Sequence, residues 1–230
     1  MDNTFAGFHN HGGYAVDIFL HSLTKYASGH GDVMGGAIIS SDQLIAGMRK
    51  DVVSMGPTLD PHAAFLIQRG LRTYFLRYER ECANALAVAE FLRRHARIKR
   101  VFHPGLEGHP QHLLAKRQMK DFGAVVSFEL NGGFEEGNRF ADALELFSTT
   151  SSVGSTESLV MPPQLLGGQE DVYKRQAEGR TRMCGIRCVA QSGRTIGLRE
   201  GHRRGVAAGV HSEIENAARG LAHGAGGRGG

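Results

Sequence analysis

The chain has 230 residues, 41% of them apolar and 7% aromatic, with no Trp, three Cys and a net charge of +4. That length suits one large or two small domains with a buried core. No stretch is apolar enough over a membrane-spanning length and no charged-then-apolar leader opens the chain, so a cytoplasmic protein is expected, and the scarcity of cysteine agrees.

In chain order, Val16–His21 reads as a buried strand and Val33–Ile39 as a second. Asp42 is placed to cap a short helix over Gln43–Arg49. Asp60-Pro61 is a helix start, with Asp as the cap and Pro at the first helical position. From there a long helix follows, bent near Gly70, with Leu71, Phe75, Tyr78, Cys82, Ala85, Ala89 and Leu92 spaced to share one inward face. Ile98–His103 is the next strand, ended by Pro104-Gly105. Ala124–Leu130 partly alternates, with Val126, Phe128 and Leu130 on one side. Asn138 is expected to cap a helix whose Phe140, Leu144 and Phe147 face inward. Periodicity alone gives α/β or α+β.

After about Gly168 the composition changes. Residues 171–230 hold eleven Lys/Arg against five Asp/Glu and thirteen Gly, so the positive charge of the chain belongs to this tail. With few large apolar residues it is expected to be disordered, although Ser212-Glu213-Ile214-Glu215 has the form of a capping box. Asp171–Gln176 resembles translated sequencing-adapter read-through, and the tail is therefore expected to be a chimeric or frame-shifted addition.

The stretch His21-Ser22-Leu23-Thr24-Lys25-Tyr26 carries the chemistry. A lysine at a strand end, between two hydroxyls and a Gly-rich turn, is well placed for more than solvation. Its ordinary pKa of ~10.4 makes it a poor nucleophile at neutral pH. Apolar surroundings or a neighbouring cation would free the amine to condense with a carbonyl. Ser22 and Thr24 each offer one hydrogen-bond donor suited to a phosphate.

Asp2-Asn3-Thr4-Phe5-Ala6, His21-Ser22-x-Thr24-Lys25-Tyr26 and Gly29-His30-x-Asp32-Val33-x-Gly35-Gly36 resemble the Cys/Met-metabolism (trans-sulfuration) branch of the pyridoxal-phosphate enzymes. The likeness runs on through Gly70-Leu71-Arg72-Thr73, Asn84–Ala89, His103-Pro104-Gly105-Leu106, His109-Pro110 and Ser127–Leu130, and ends around Gly154–Val160. It implies an α/β chain of the fold-type I, aspartate aminotransferase-like class: residues 1–72 as part of an incomplete cofactor-binding large domain, 73–170 as the small C-terminal domain, and 171–230 as the tail.

Carried over residue by residue, the resemblance makes Lys25 the Schiff-base lysine and Asp2 the partner of the protonated pyridine nitrogen. Ser22 and Thr24 would hold the cofactor phosphate, and Ser152 would contact the substrate carboxylate. Asp2 and Lys25 stand slightly closer in sequence than is usual in the family, and the shortfall falls in the loop 7–13. The family's carboxylate-binding arginine is only faintly echoed, at Arg194. The implied activity is elimination or replacement at a sulfur amino acid or an activated homoserine, in a homodimer or homotetramer. Ser151 stands where cystathionine-handling members often carry Glu, which favours methionine γ-lyase or O-acylhomoserine sulfhydrylase chemistry. The family also carries a long segment ahead of the Asp-Asn-Thr-Phe motif. The chain is therefore expected to be a fragment, one that binds its cofactor weakly or not at all and has little or no activity.

Each of these residues also has a plainer reading. A single lysine at a strand end is most often a solvated residue, Ser22 and Thr24 are ordinary strand formers, and Asp2 could be frayed. The groupings His9-x-His11 and His103, His109, His112 fit no well-defined metal site, and Cys184-x-x-x-Cys188 is too little for zinc; no metal is expected. Gly29-x-Gly31 lacks the Gly-Lys-Ser/Thr ending of a phosphate loop. The Arg/Gly-rich tail could bind RNA phosphates, but beyond Tyr173 it lacks interleaved aromatic residues for stacking.

Overall fold

The structure is a computed structural model and describes residues 1–8, 14–165 and 184–187. Two antiparallel strands, β1 (Ile18–Ser22) and β2 (Gly36–Ser40), form a ribbon in which His21 stands opposite Ala37. On the other side of β1 the chain start makes a single parallel bridge, Asp2 to Leu20. There Asn3 N donates to Leu20 O at 3.1 Å and Leu20 N to Met1 O at 2.8 Å. The expected burial of the first strand is not found: His21 is its one buried residue, and Leu20, Ile38 and Ile39 are exposed. A two-stranded ribbon buries an apolar face only when another layer lies on it, and among the described residues none covers these side chains.

Helix α1 spans Asp42–Met55 and buries no residue. It begins one residue earlier than expected, because Ser41 is the extended residue (ψ 151°) and Asp42 already lies in the first turn. There its charge suits the helix dipole instead of capping it. Helix α2, Pro61–Leu71, starts as expected, with the Asp60 carboxylate accepting from His62 N at 2.9 Å and Ala63 N at 3.1 Å. Gly70 does not bend the helix. It lies within α2, and the chain breaks after it at Arg72-Thr73. What Gly70 provides is proximity, since a Cβ there would stand 2.1 Å from Ser28 O.

Helix α3, Tyr74–Arg93, is the central element. Its inward face runs Tyr74, Tyr78, Cys82, Ala85, Val88, Ala89 and Leu92, whereas Leu71 and Phe75 are exposed. The break at 72–73 shifts the helical phase, so Tyr74 takes the inward position expected of Phe75.

The second sheet contains β3 (Ile98–Phe102), β4 (Val125–Leu130), β5 (Phe147–Thr149), β6 (Ser158–Met161) and β7 (Cys184–Arg187), in the order β3-β4-β7-β6-β5. All neighbouring pairs are antiparallel except β5 with β6. Strand β7 lies within the stretch expected to be disordered and is bonded on both sides. An internal strand position satisfies its backbone groups even where the sequence shows no alternation. The expectations at Asp171–Gln176, Cys188, Arg194 and Ser212–Glu215 lie outside the described residues, as do His9 and His11.

Two short helices complete the fold, α4 (His112–Gln118) and α5 (Gly133–Asp142). Asn138 is inside α5, which starts at Gly132-Gly133 with Glu135 and Glu136 in its first turn. Buried Glu136 pairs with Arg97 at 2.5 Å and with Arg139. Ala85, Val88, Ala89 and Leu92 of α3 pack with Val126 and Phe128 of β4 and with Phe140, Leu144 and Phe147. Phe128 and Phe140 meet edge to face at 5.5 Å. Burying each such large side chain is worth about 1.5–3 kcal/mol, and this core fixes α3 as the support for the elements above it.

Candidate active site

Lys25 lies in a wide turn, Leu23–Ala27, directly after β1. The turn is closed by Ser28 N donating to Leu23 O at 3.0 Å, with Gly29 N donating to Lys25 O at 2.9 Å. At Lys25 the backbone leaves helical values (φ −93°, ψ −122°). The ammonium is half-buried and donates to Ser152 Oγ at 3.0 Å. Residues far apart in sequence, both expected at the site, are therefore in contact.

Asp2 is fixed next to β1 by the Leu20 bridge, and its Oδ1 accepts from Thr4 N at 2.8 Å and Thr4 Oγ1 at 2.7 Å. The Thr4 backbone donor, followed by its hydroxyl, holds the Asp2 carboxyl below the usual carboxylate range. Thr4 Oγ1 in turn accepts from Ser22 N at 2.9 Å. One threonine hydroxyl thus joins the Asp2 segment to the residue expected to hold phosphate.

Thr24 is used differently from the expectation of an open phosphate donor. Its hydroxyl accepts from Gly35 N at 2.9 Å and donates to Gly35 O at 3.3 Å, closing the Gly-rich loop onto the lysine turn. To donate to a phosphate, this hydroxyl has to exchange its long bond to Gly35 O. Ser22 keeps a half-buried hydroxyl at the end of β1.

Residues outside the sequence motifs hold these groups in place. Tyr74 OH accepts from Phe8 N at 2.7 Å, and Tyr78 OH donates to Phe5 O at 3.1 Å, so one turn of α3 grips the loop after Asp2. Phe8 stacks on the His21 ring with centroids 3.9 Å apart, and His21 Nδ1 lies 3.0 Å from Asn3 Oδ1. Between the two tyrosines on the same helix, Arg77 Nη2 donates to Tyr26 O at 2.9 Å and to Gly70 O at 3.0 Å. Burial raises the pKa of the Tyr74 hydroxyl and, two turns further along α3, pushes the Glu81 carboxyl up to about 8. The signal for these residues was the spacing of Tyr74, Arg77, Tyr78 and Glu81, which puts polar groups on the stripe that faces the core.

The donor set fits a cationic aromatic ring bearing an aldehyde and an anionic group. Asp2 is kept as a carboxylate, Lys25 is a half-buried amine, and Ser22 and Thr24 are hydroxyls at the end of one strand. Among the described residues no group of His, Cys, Asp and Glu is arranged to hold a metal ion, and no helix is long and apolar enough to cross a membrane.

Residues 1–181 match the family model described as Cys/Met metabolism PLP-dependent enzyme. The L-methionine gamma-lyase of Fusobacterium nucleatum subsp. polymorphum is 47% identical over 169 residues, covering 71% of this chain and 42% of that protein. The chloroplastic cystathionine gamma-synthase 1 of Arabidopsis thaliana is 42% identical over 168 residues, or 72% of this chain and 30% of that protein. Among solved structures, an apo methionine gamma lyase from Micromonospora echinospora superposes with a TM-score of 0.77 at 30% identity, covering 94% of this chain and 54% of that one. A cystathionine gamma synthase from Xanthomonas oryzae pv. oryzae, in complex with aminoacrylate and cysteine, gives 0.75 at 33% identity, covering 95% and 55%. The chain spans less than half the length of the curated relatives it matches.

Proposed function

We propose, for a chain that belongs to the Cys/Met metabolism PLP-dependent enzyme family, that it forms the lysine-bearing part of an enzyme that eliminates or replaces the γ-substituent of a sulfur amino acid or an activated homoserine. The observation that carries this reading is the 3.0 Å contact between Lys25 Nζ and Ser152 Oγ, which joins an amine and a substrate-facing hydroxyl contributed by distant parts of the chain.

In this reading the cofactor is pyridoxal phosphate, which when bound acts as an electron sink for charge that develops on the substrate. Lys25 Nζ would hold its aldehyde carbon, and Ser22 and Thr24 its phosphate. Asp2, kept anionic by Thr4, would pair with the ring nitrogen and keep it protonated. Once displaced from that carbon by the substrate amine, Lys25 would serve as base and acid, taking a proton from the substrate α-carbon and moving protons at the β-carbon. Ser152 orients the substrate by donating to its carboxylate, a role its hydroxyl can combine with accepting from Lys25. Residues 1–72 form part of the cofactor-binding domain and 73–170 the small domain. The working enzyme is a cytoplasmic homodimer or homotetramer.

Within the family, Ser151 in the place of an acidic residue disfavours recognition of a distal substrate amine. That supports methionine γ-lyase or O-acylhomoserine sulfhydrylase chemistry, and the identity to the Fusobacterium lyase supports it further. The test is an absorbance spectrum of the chain with pyridoxal phosphate, before and after borohydride, beside Lys25→Ala. A band near ~420 nm that borohydride removes and the substitution abolishes is the expected result. A band that Lys25→Ala leaves in place would overturn the assignment of Lys25.

A further inference from the structure

We propose that Arg77 is a positioning residue for Lys25, a role that rests on the reading of Lys25 as the cofactor-binding lysine. Arg77 is 8% exposed and lies in the first turns of α3. Its Nη2 donates to Tyr26 O at 2.9 Å, Ala27 O at 3.4 Å and Gly70 O at 3.0 Å, and its Nε donates to Thr73 Oγ1 at 3.1 Å. Tyr26 and Ala27 directly follow Lys25. The guanidinium therefore fastens the trailing carbonyls of the turn that presents the amine, and ties them to the end of α2.

The surroundings are shaped to this one side chain. Gly29 has a positive φ of 72°, and a Cβ there would stand 2.0 Å from Arg77 Nη1. The chain can pass this close to the guanidinium only at a residue without a side chain. On the opposite side, Thr73 Oγ1 accepts from Nε and donates to Gly70 O at 3.3 Å. Burying a guanidinium is costly unless its hydrogen bonds are made. An apolar side chain of similar length would fill the space without that cost. Only a planar cation with several fixed donors can hold carbonyls of the lysine turn and of α2 at once. A lysine at 77 has a compact ammonium and would keep part of this grip.

The experiment uses the whole chain with Arg77→Met, Arg77→Lys, Lys25→Ala and, as a control remote from the lysine turn, Arg97→Met, which breaks the pair with Glu136. Two rates are read at Lys25 by peptide mass mapping, with the folded fraction taken from circular dichroism. The first is formation of the borohydride-trapped adduct with pyridoxal phosphate. The second is modification by trinitrobenzenesulfonate, without cofactor. Arg77→Met is expected to slow trapping about tenfold or more, as a misplaced reacting group does, and to speed trinitrophenylation as the amine leaves Ser152 for solvent. Arg77→Lys recovers part of both. Arg97→Met lowers the melting temperature and leaves both rates per folded molecule unchanged.

Wild-type rates in folded Arg77→Met would overturn the positioning role and leave the reading of Lys25 intact. A trapped adduct at other lysines and none at Lys25 in the wild type would overturn that reading, and trinitrophenylation still decides the role of Arg77. If Arg77→Met does not fold, Arg77→Lys takes its place, and unchanged rates in that folded variant overturn the role.

Discussion

Gly154 lies against Tyr26 so closely that a Cβ on it would stand 2.5 Å from the Tyr26 backbone nitrogen. Its φ of +78° is also one that a side chain disfavours. Tyr26 adjoins Lys25, and Gly154 follows Ser152 by two residues, so this approach sets the distance between amine and hydroxyl. Gly154→Ala is expected to push the Ser152 loop outward. Thermal unfolding should show a loss of about 1–3 kcal/mol, and trapping of pyridoxal phosphate at Lys25 should slow with it. Ser152→Ala, which removes the hydroxyl without moving the loop, should leave the melting temperature nearly unchanged.

Thr4→Val removes the hydroxyl that bonds both Asp2 and Ser22 N. The Asp2 carboxyl, held low first by the Thr4 backbone N–H and then by this hydroxyl, should rise toward its ordinary value of 3.8. A depressed carboxylate contributes its effect above its unfolded pKa and loses it as pH falls through its folded pKa. In the variant the contribution is smaller and its loss is complete at a higher pH. NMR titration of the Asp2 carboxyl carbon in both proteins measures the change.

Glu81 carries the opposite sign. Burial raises its pKa from 4.5 to about 8, against the pull of nearby Arg77, and neither carboxyl oxygen has a hydrogen bond among the described residues. The folded state therefore holds a proton that the unfolded state releases above about pH 4.5. Stability is highest below that pH and falls as pH rises toward 8. Tyr74 and Cys82 also lie close to this helix face, but burial keeps both protonated through the window. Glu81→Gln should flatten the decline and add on the order of a few kcal/mol at pH 8, read from urea unfolding at several pH values.

Gly70→Ala places a methyl 2.1 Å from Ser28 O. Backbone cannot yield as a side-chain end does, so α2 has to shift away from the lysine turn, at a cost of about 1–3 kcal/mol. Asp60→Ala at the start of the same helix removes only a cap and should cost about 1 kcal/mol. Comparing the two by thermal unfolding, with Lys25 trapping as a second readout, separates a helix that is weakened from one that is displaced: only Gly70→Ala should slow the trapping.

The legible parts of the sequence were those whose chemistry is local. Asp60-Pro61 marked a helix start because cap and first turn are adjacent in the chain. Lys25 with its flanking hydroxyls is a pattern of the same local kind, and what the fold adds to it is the contact with Ser152. Asp42 and Asn138 misled because a capping side chain acts only where the backbone is extended. Ser41 takes that place before α1, and Gly132-Gly133 opens α5 ahead of Asn138. Strand β7 gave no signal, since its place between β4 and β6 depends on partners distant in the chain. Arg77 was missed because an arginine in an amphipathic helix ordinarily faces water, and only the turn it meets shows otherwise.

Lys25 and Ser152 are 127 residues apart in the chain. During synthesis the lysine leaves the ribosome before the serine has been translated, and their contact closes a long loop at an entropic cost that grows only slowly with its length. A single protease cut anywhere between them makes it depend on two pieces staying together through the α3 core.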